Sequence, residues 1–249
     1  TERETLVPRN RIPRVRRSGG FSPHGAGLNK KRGVVSNSTC GEISVTPFNI
    51  YINKNFLVRQ QQWFKLLHLI NDSHFGGLVQ CDFLPLRAVN KMDLTDGAER
   101  IRNVPNAGGS SVVSEALSFE LLGRCFGAKL LKTEMEVSYF PFGGSITDYV
   151  CSMFGAKLGV SVTRAMKYKG DYSDEDAAHL LNKKLKGVIQ SSRNTLEKWN
   201  KQILHVWATS QHTANVIAHA YDSIPDEVKV NTLVLVTTAS RSDFIFNDR

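Results

Sequence analysis

The chain has 249 residues, 41% of them hydrophobic and 22% charged, with 32 Lys and Arg against 23 Asp and Glu for a formal net charge of +9. That length and apolar fraction suit one large domain with a buried core and an appendage, and exclude a peptide-like scaffold. The charge is uneven: nine basic residues against Glu2 and Glu4 put +7 before residue 34, which leaves only +2 for the remainder and no large long-range positive field there.

Residues 1–45 place Arg14, Arg16, Arg17, Lys30, Lys31 and Arg32 among Pro8, Pro13, Pro23 and several glycines, without a sustained hydrophobic period. Such a segment cannot repay the entropy of folding alone, so it is expected to be a basic, disordered N-terminal arm. It suits a nucleic-acid tether or a nuclear-import signal, and equally a solubilising tail or a clip onto a protein partner. The first residue is Thr rather than Met, which leaves room for a targeting segment removed ahead of it.

Residues 46–111 are expected to form a helical, loop-rich extension. Phe56, Trp63, Leu67 and Ile70 recur near helical spacing and predict an amphipathic helix over residues 56–70. Gly76-Gly77, Pro85, Pro105 and Gly108-Gly109 then punctuate a connection with one strand, at residues 77–86.

From residue 112 to 249 the pattern is regular. Val113, Ala116, Leu117 and Leu121 share a helical face over residues 112–124, and Thr133, Met135, Val137 and Tyr139 alternate as a strand over 131–139. Pro141-Phe142-Gly143-Gly144 makes a turn, followed by strands at 145–151 and 158–166. Ser173 and three following acids read as a capping box opening a long helix on Ala177, Leu181, Leu185 and Val188. A strand at 203–209, a helix at 212–224 ended by Pro225, and a fully buried strand at 232–239 complete the order. The fold class expected is α/β, a mixed central sheet flanked by helices.

There is no GxxxxGKS/T phosphate loop, GxGxxG turn, GxSxG elbow or HExxH helix, which disfavours P-loop ATPases, kinases, dinucleotide-dependent dehydrogenases and the usual serine hydrolases. Cys40, Cys81, Cys125 and Cys151 form no CxxC pair and lie in no zinc spacing, so they read as reduced, buried thiols. No apolar run approaches the roughly 20 residues needed to span a bilayer. The expectation is a soluble, intracellular protein of the nucleus or cytoplasm, with no membrane partner. Asn37-Ser38-Thr39 and Asn71-Asp72-Ser73 match the glycosylation pattern by chance on that reading.

What remains is a set of acids. Glu120 falls beside the apolar face of the first regular helix, where a carboxylate needs a partner, either a metal or Arg124 at i+4. Glu134 and Glu136 share a face of the first strand. Asp148 is flanked on its own strand face by Ile146 and Val150, where Asp is disfavoured.

This order of elements and acids resembles the PD-(D/E)XK nuclease-like, or restriction-endonuclease-like, superfamily over residues 112–239. The resemblance implies a helical acid at Glu115 or Glu120, a strand acid at Asp148, and Ser161-Val162-Thr163 at the D/E-x-K tripeptide, whose carboxylate and lysine are absent. It further implies catalytic Glu120, Asp148, Ser161 and Thr163, with Glu120 and Asp148 as ligands of Mg²⁺ or Mn²⁺. Nucleic acid, DNA or RNA, would meet Arg164, Arg193 and the arm. Arg164 cannot serve as a general base, because it stays protonated, and it points away from Thr163.

Three functions compete: a metal-dependent phosphodiesterase, an inactive relative that binds nucleic acid, and a structural protein whose arm holds a partner. Gln190 to Arg193 read either as phosphate contacts or as a solvated helix end. His205, His212 and His219 read as core or surface histidines, and Trp199 and Trp207 as packing residues.

Overall fold

The computed structural model describes residues 48–107 and 109–247. The basic arm, with Arg14, Arg16, Arg17, Lys30, Lys31, Arg32 and Cys40, lies outside the described residues. The strands are β1 (Asn49–Ile52), β2 (Phe56–Gln60), β3 (Gly77–Pro85), β4 (Lys129–Thr133), β5 (Tyr149–Met153), β6 (Ala156–Ala165), β7 (Lys201–Ala208) and β8 (Thr232–Thr238). The helices are α1 (Trp63–Asn71), α2 (Asp96–Asn103), α3 (Val112–Phe126), α4 (Asp174–Asn194), α5 (Gln211–Asp222), α6 (Asp226–Lys229) and α7 (Asp243–Phe246).

Among the described residues eight strands join one mixed sheet in the order β1-β2-β3-β8-β7-β6-β5-β4. The central neighbours β3, β8, β7 and β6 run parallel, while both flanks are antiparallel. Every residue of β7 and β8 is buried, as expected for parallel strands covered on both faces. Helices α1, α2, α3 and α7 pack on one face, over Trp207 and Leu235. Helices α4 and α5 cover the other, over Leu204, Val206 and Val236.

The expected α/β architecture is therefore present, and several elements differ locally. Residues 56–60 are a strand rather than the start of a helix. FLVRQ alternates as buried, half-buried, buried, exposed, buried, and the Gln60 side-chain oxygen accepts from the Gln62 amide where the strand stops. With β1 and β3, it adds three strands where the punctuation indicated one. The strand expected at 131–139 ends at Thr133, because Thr133 and Glu136 close a capping box around a 3-10 turn at Glu134–Glu136.

The strand expected at 145–151 begins only at Tyr149, and this shift shapes a groove. Antiparallel pairing of β5 with β6 stops at Tyr149↔Val160. Strand β6 continues to Ala165 paired only with β7. Beyond that point Thr147 Oγ1 and the Asp148 amide both donate to the Val160 carbonyl, at 2.8 and 3.0 Å. The chain then leaves the sheet and opens a notch beside the carboxyl-terminal half of β6. Ligand crevices of open α/β sheets lie at this end of parallel strands.

Candidate functional site

Three elements converge on the notch. Helix α3 begins after Ser111, whose hydroxyl donates to the Glu115 carboxylate in the first turn. An acid there also faces the positive end of the helix dipole. Trp207 Nε1 donates to the Ser114 carbonyl at 3.0 Å and pins this helix start to β7. Gly127 ends α3 in the left-handed region at φ 70°, a conformation that costs glycine least.

The second element is the entry to β5. The Val162 amide of the unpaired β6 edge donates to Asp148 Oδ2. A backbone group that the departing strand leaves open is thereby satisfied, and the carboxylate is held at the notch.

The third element is α4, capped by Ser173 and Asp176. Lys184 stands on the shoulder of its buried stripe of Leu181, Leu185 and Val188, and its ammonium offsets the charge of both acids.

Two adjoining cavities of about 400 and 350 Å³ share Asp148, Val162 and Lys184 and so form one groove. Gly144, Ser145 and Gly187 wall one end, and Ser111, Met166 and Tyr168 the other.

Electrostatically the groove is built around like charges. Asp148 is held well above the usual carboxylate range, first by burial and then by the neighbouring Glu115, with Glu134 adding to it; the Val162 amide and Lys184 oppose the shift. Glu115 is raised as well, again first by burial, with Glu134 reinforcing and the Ser111 hydroxyl, Arg164 and Lys184 opposing. Each carboxylate thus disfavours ionisation of the other.

The residues singled out from the sequence separate into two groups. Asp148, Ser161, Thr163 and Arg164 lie at the groove, with Ser161 and Thr163 facing α4 and Arg164 facing α3. Glu120 does not join them. It lies five residues beyond Glu115, about 140° around the helix. There it is fully buried and accepts from Thr95 N and Oγ1 at 2.8 and 2.7 Å and from Arg124 Nε at 2.9 Å. The i+4 pair with Arg124 thus accounts for this acid, which ties the start of α2 to α3. Glu136 pairs with Arg100, whereas Glu134 lines the groove and accepts from the Ala107 amide at 2.7 Å. Arg193 is exposed in the last turn of α4, outside the groove lining.

Sequence reasoning missed Lys184, which sits in the run Lys183-Lys184-Leu185-Lys186 and reads there as part of a solvated face. It also left Glu115 undecided against Glu120; Ser111 four residues earlier was the available signal. The histidine reading holds for His205. It is buried between Ser118 and Thr237 at 2.6 and 2.8 Å, and burial pushes it down to about 3, which keeps it neutral. Cys81, Cys125 and Cys151 are buried free thiols, and burial pushes Cys81 and Cys151 up to about 12.

Among the described residues no three His, Cys, Asp or Glu side chains cluster so as to hold a metal ion. No described helix is long and apolar enough to cross a membrane.

No known family model matches the chain. It is 42% identical over 186 residues to the AAC-rich mRNA clone AAC4 protein of Dictyostelium discoideum, an alignment covering 71% of this chain and 27% of that protein. The chain thus spans about a quarter of that relative's length. Among solved structures, SfsA of Pyrococcus furiosus in complex with Ca²⁺ aligns over 79% of this chain and 90% of its own, at 12% identity and a TM-score of 0.29. A likeness that slight carries no inference about fold or activity.

Proposed function

We propose that this is a nuclease-like domain whose groove binds a nucleic-acid strand and acts on its phosphodiester backbone. One observation carries the reading: Asp148 ahead of β5 and Lys184 of α4 line one groove where β5 parts from β6, with Glu115 of α3 near enough for its charge to act on Asp148. The order α3, β4, β5, β6, α4, β7 is that of the PD-(D/E)XK core, with Glu115 at the helical acid and Asp148 at the strand acid. Ser161 and Thr163 depart from that pattern. Lys184 supplies from the facing helix an ammonium that the Ser161-Val162-Thr163 stretch of β6 lacks.

The donor set fits Mg²⁺ or Mn²⁺ in part. Asp148 would provide one hard carboxylate at the groove, with Glu115 as a nearby second on the α3 side, and the shell would need water and a substrate phosphate to complete it, as is common for Mg²⁺. When bound, such an ion supplies Lewis-acid stabilisation of charge on the phosphoryl group. Lys184 serves as a point charge for a phosphate oxygen, and Arg164 adds a planar fork on the α3 side.

The test is incubation of the full chain with labelled DNA and RNA in Mg²⁺ or Mn²⁺. Cleavage by the wild type that is lost in Asp148→Asn, with strand binding retained, is the expected result. Binding without cleavage in either metal selects instead the binding-only reading, which Ser161 and Thr163 favour. Failure to bind any nucleic acid overturns both.

A further inference from the structure

Of the two most exposed large apolar side chains among the described residues, Tyr168 lines this groove and Phe142 stands on the loop that leads to its Gly144 end. Phe142 is 91% exposed and Tyr168 90%. Tyr168 lines one end directly, and Phe142 lies two residues before Gly144, which lines the other. A solitary exposed apolar side chain needs no explanation. One such ring in the lining of a polar groove and a second on the loop leading to its other end call for a common one.

The Phe142 loop is held in place from both sides. The Phe140 amide donates to the Asn194 carbonyl at 2.7 Å, and the Ser145 amide to Gln190 Oε1 at 3.1 Å, so the last turns of α4 grip both its ends. Gly144 has φ 89° and packs so closely that an added Cβ would lie 2.7 Å from the Gln190 amide nitrogen. The ring is thus presented from an anchored turn. Between the ends, Lys183 and Lys184 line the α4 wall and face Asp148 across the groove.

Resting on the phosphodiester reading above, we propose that the groove selects single-stranded over duplex nucleic acid, with Phe142 and Tyr168 stacking on unpaired bases to either side of the phosphate held at Lys184. A duplex hides its base faces within the stack and offers an aromatic ring only phosphate and sugar. A single strand presents bases to the rings and backbone to the lysines at the same time, the combination by which sequence-tolerant strand-binding grooves work.

The experiment is fluorescence anisotropy of the full chain with a labelled oligonucleotide of about 12 nucleotides, single-stranded or annealed to its complement. EDTA prevents cleavage, and roughly 0.2 M salt suppresses the contribution of the basic arm. The single strand is expected to bind at least about tenfold more tightly. Phe142→Ala and Tyr168→Ala should each weaken single-strand binding by about five- to tenfold, with duplex binding and melting temperature unchanged, and Tyr168→Phe should retain it. Equal or tighter duplex binding, or alanine variants that bind the single strand as well as the wild type, overturns the inference while leaving the phosphodiester reading standing. No binding of either form, even at low salt, rejects that reading and this one with it.

Discussion

Asp148→Asn should make the protein more stable at neutral pH while abolishing its action on nucleic acid. Folding raises Asp148 above its ordinary 3.8, chiefly by burial and then by Glu115. The folded state therefore keeps a proton that the unfolded chain releases, and stability falls as pH rises through a window that opens near 3.8 and extends upward. Each unit of displacement corresponds to about 1.36 kcal/mol. Asparagine cannot ionise, yet its side-chain oxygen can still accept from the Val162 amide, so the substitution removes the penalty and keeps the contact. Relief of such a site is typically about 0.5–2 kcal/mol. For a domain of this size that raises the melting temperature by roughly 1–8 °C. Thermal melts of the wild type and the Asp148→Asn variant from pH 4 to 8 would show curves that meet in acid and separate towards neutrality, with the variant the more stable at pH 7.5. A variant less stable than the wild type at pH 7.5, with the wild-type slope intact, would refute the like-charge account of the groove.

Glu120→Ala should have the opposite character, destabilising by about 3 kcal/mol because it strands the Thr95 amide and Arg124 around a buried hole; urea melts measure this, and an unchanged midpoint would contradict the structural assignment of Glu120. Lys184→Ala removes the cation that favours ionised Asp148 and Glu115, so it should cost more stability at pH 7.5 than at pH 4.5 and weaken strand binding several-fold. Equal losses at both pH values would place Lys184 outside the acid pair's field. Deleting residues 1–40 removes most of the excess positive charge. It should weaken nucleic-acid binding and flatten its salt dependence, and unchanged affinity at every salt concentration would discard the arm as an electrostatic tether.

What the sequence made legible was whatever a local pattern dictates. A run rich in β-branched residues marked β8, and Ser173 with its following acids marked the start of α4. Phe56 to Gln60 misled because its apolar residues fall in phase with those of α1, and only pairing with β3 reveals the strand. The capping box at Thr133-Glu134-Met135-Glu136 was readable, yet alternation through Val137 and Tyr139 masked it. Asp148 stood out by its residue type. The choice of Glu115 over Glu120 depended on which side of α3 faces the notch, and the role of Lys184 on the register at which β5 abandons β6. Both are long-range consequences of packing that no local window carries.

The central claim is that Asp148 and Glu115 form one coupled, cation-accepting pair under Lys184. Carboxyl-carbon NMR titration of the full chain tests it most directly, first alone and then with Mg²⁺ and a single-stranded oligonucleotide. The account predicts that both carboxyls titrate above their ordinary range without the ion, that the Glu115 curve shifts in Asp148→Asn, and that both fall when ion and strand are added. Independent titration of the two groups at ordinary values, indifferent to the substitution and to the ion, would contradict it.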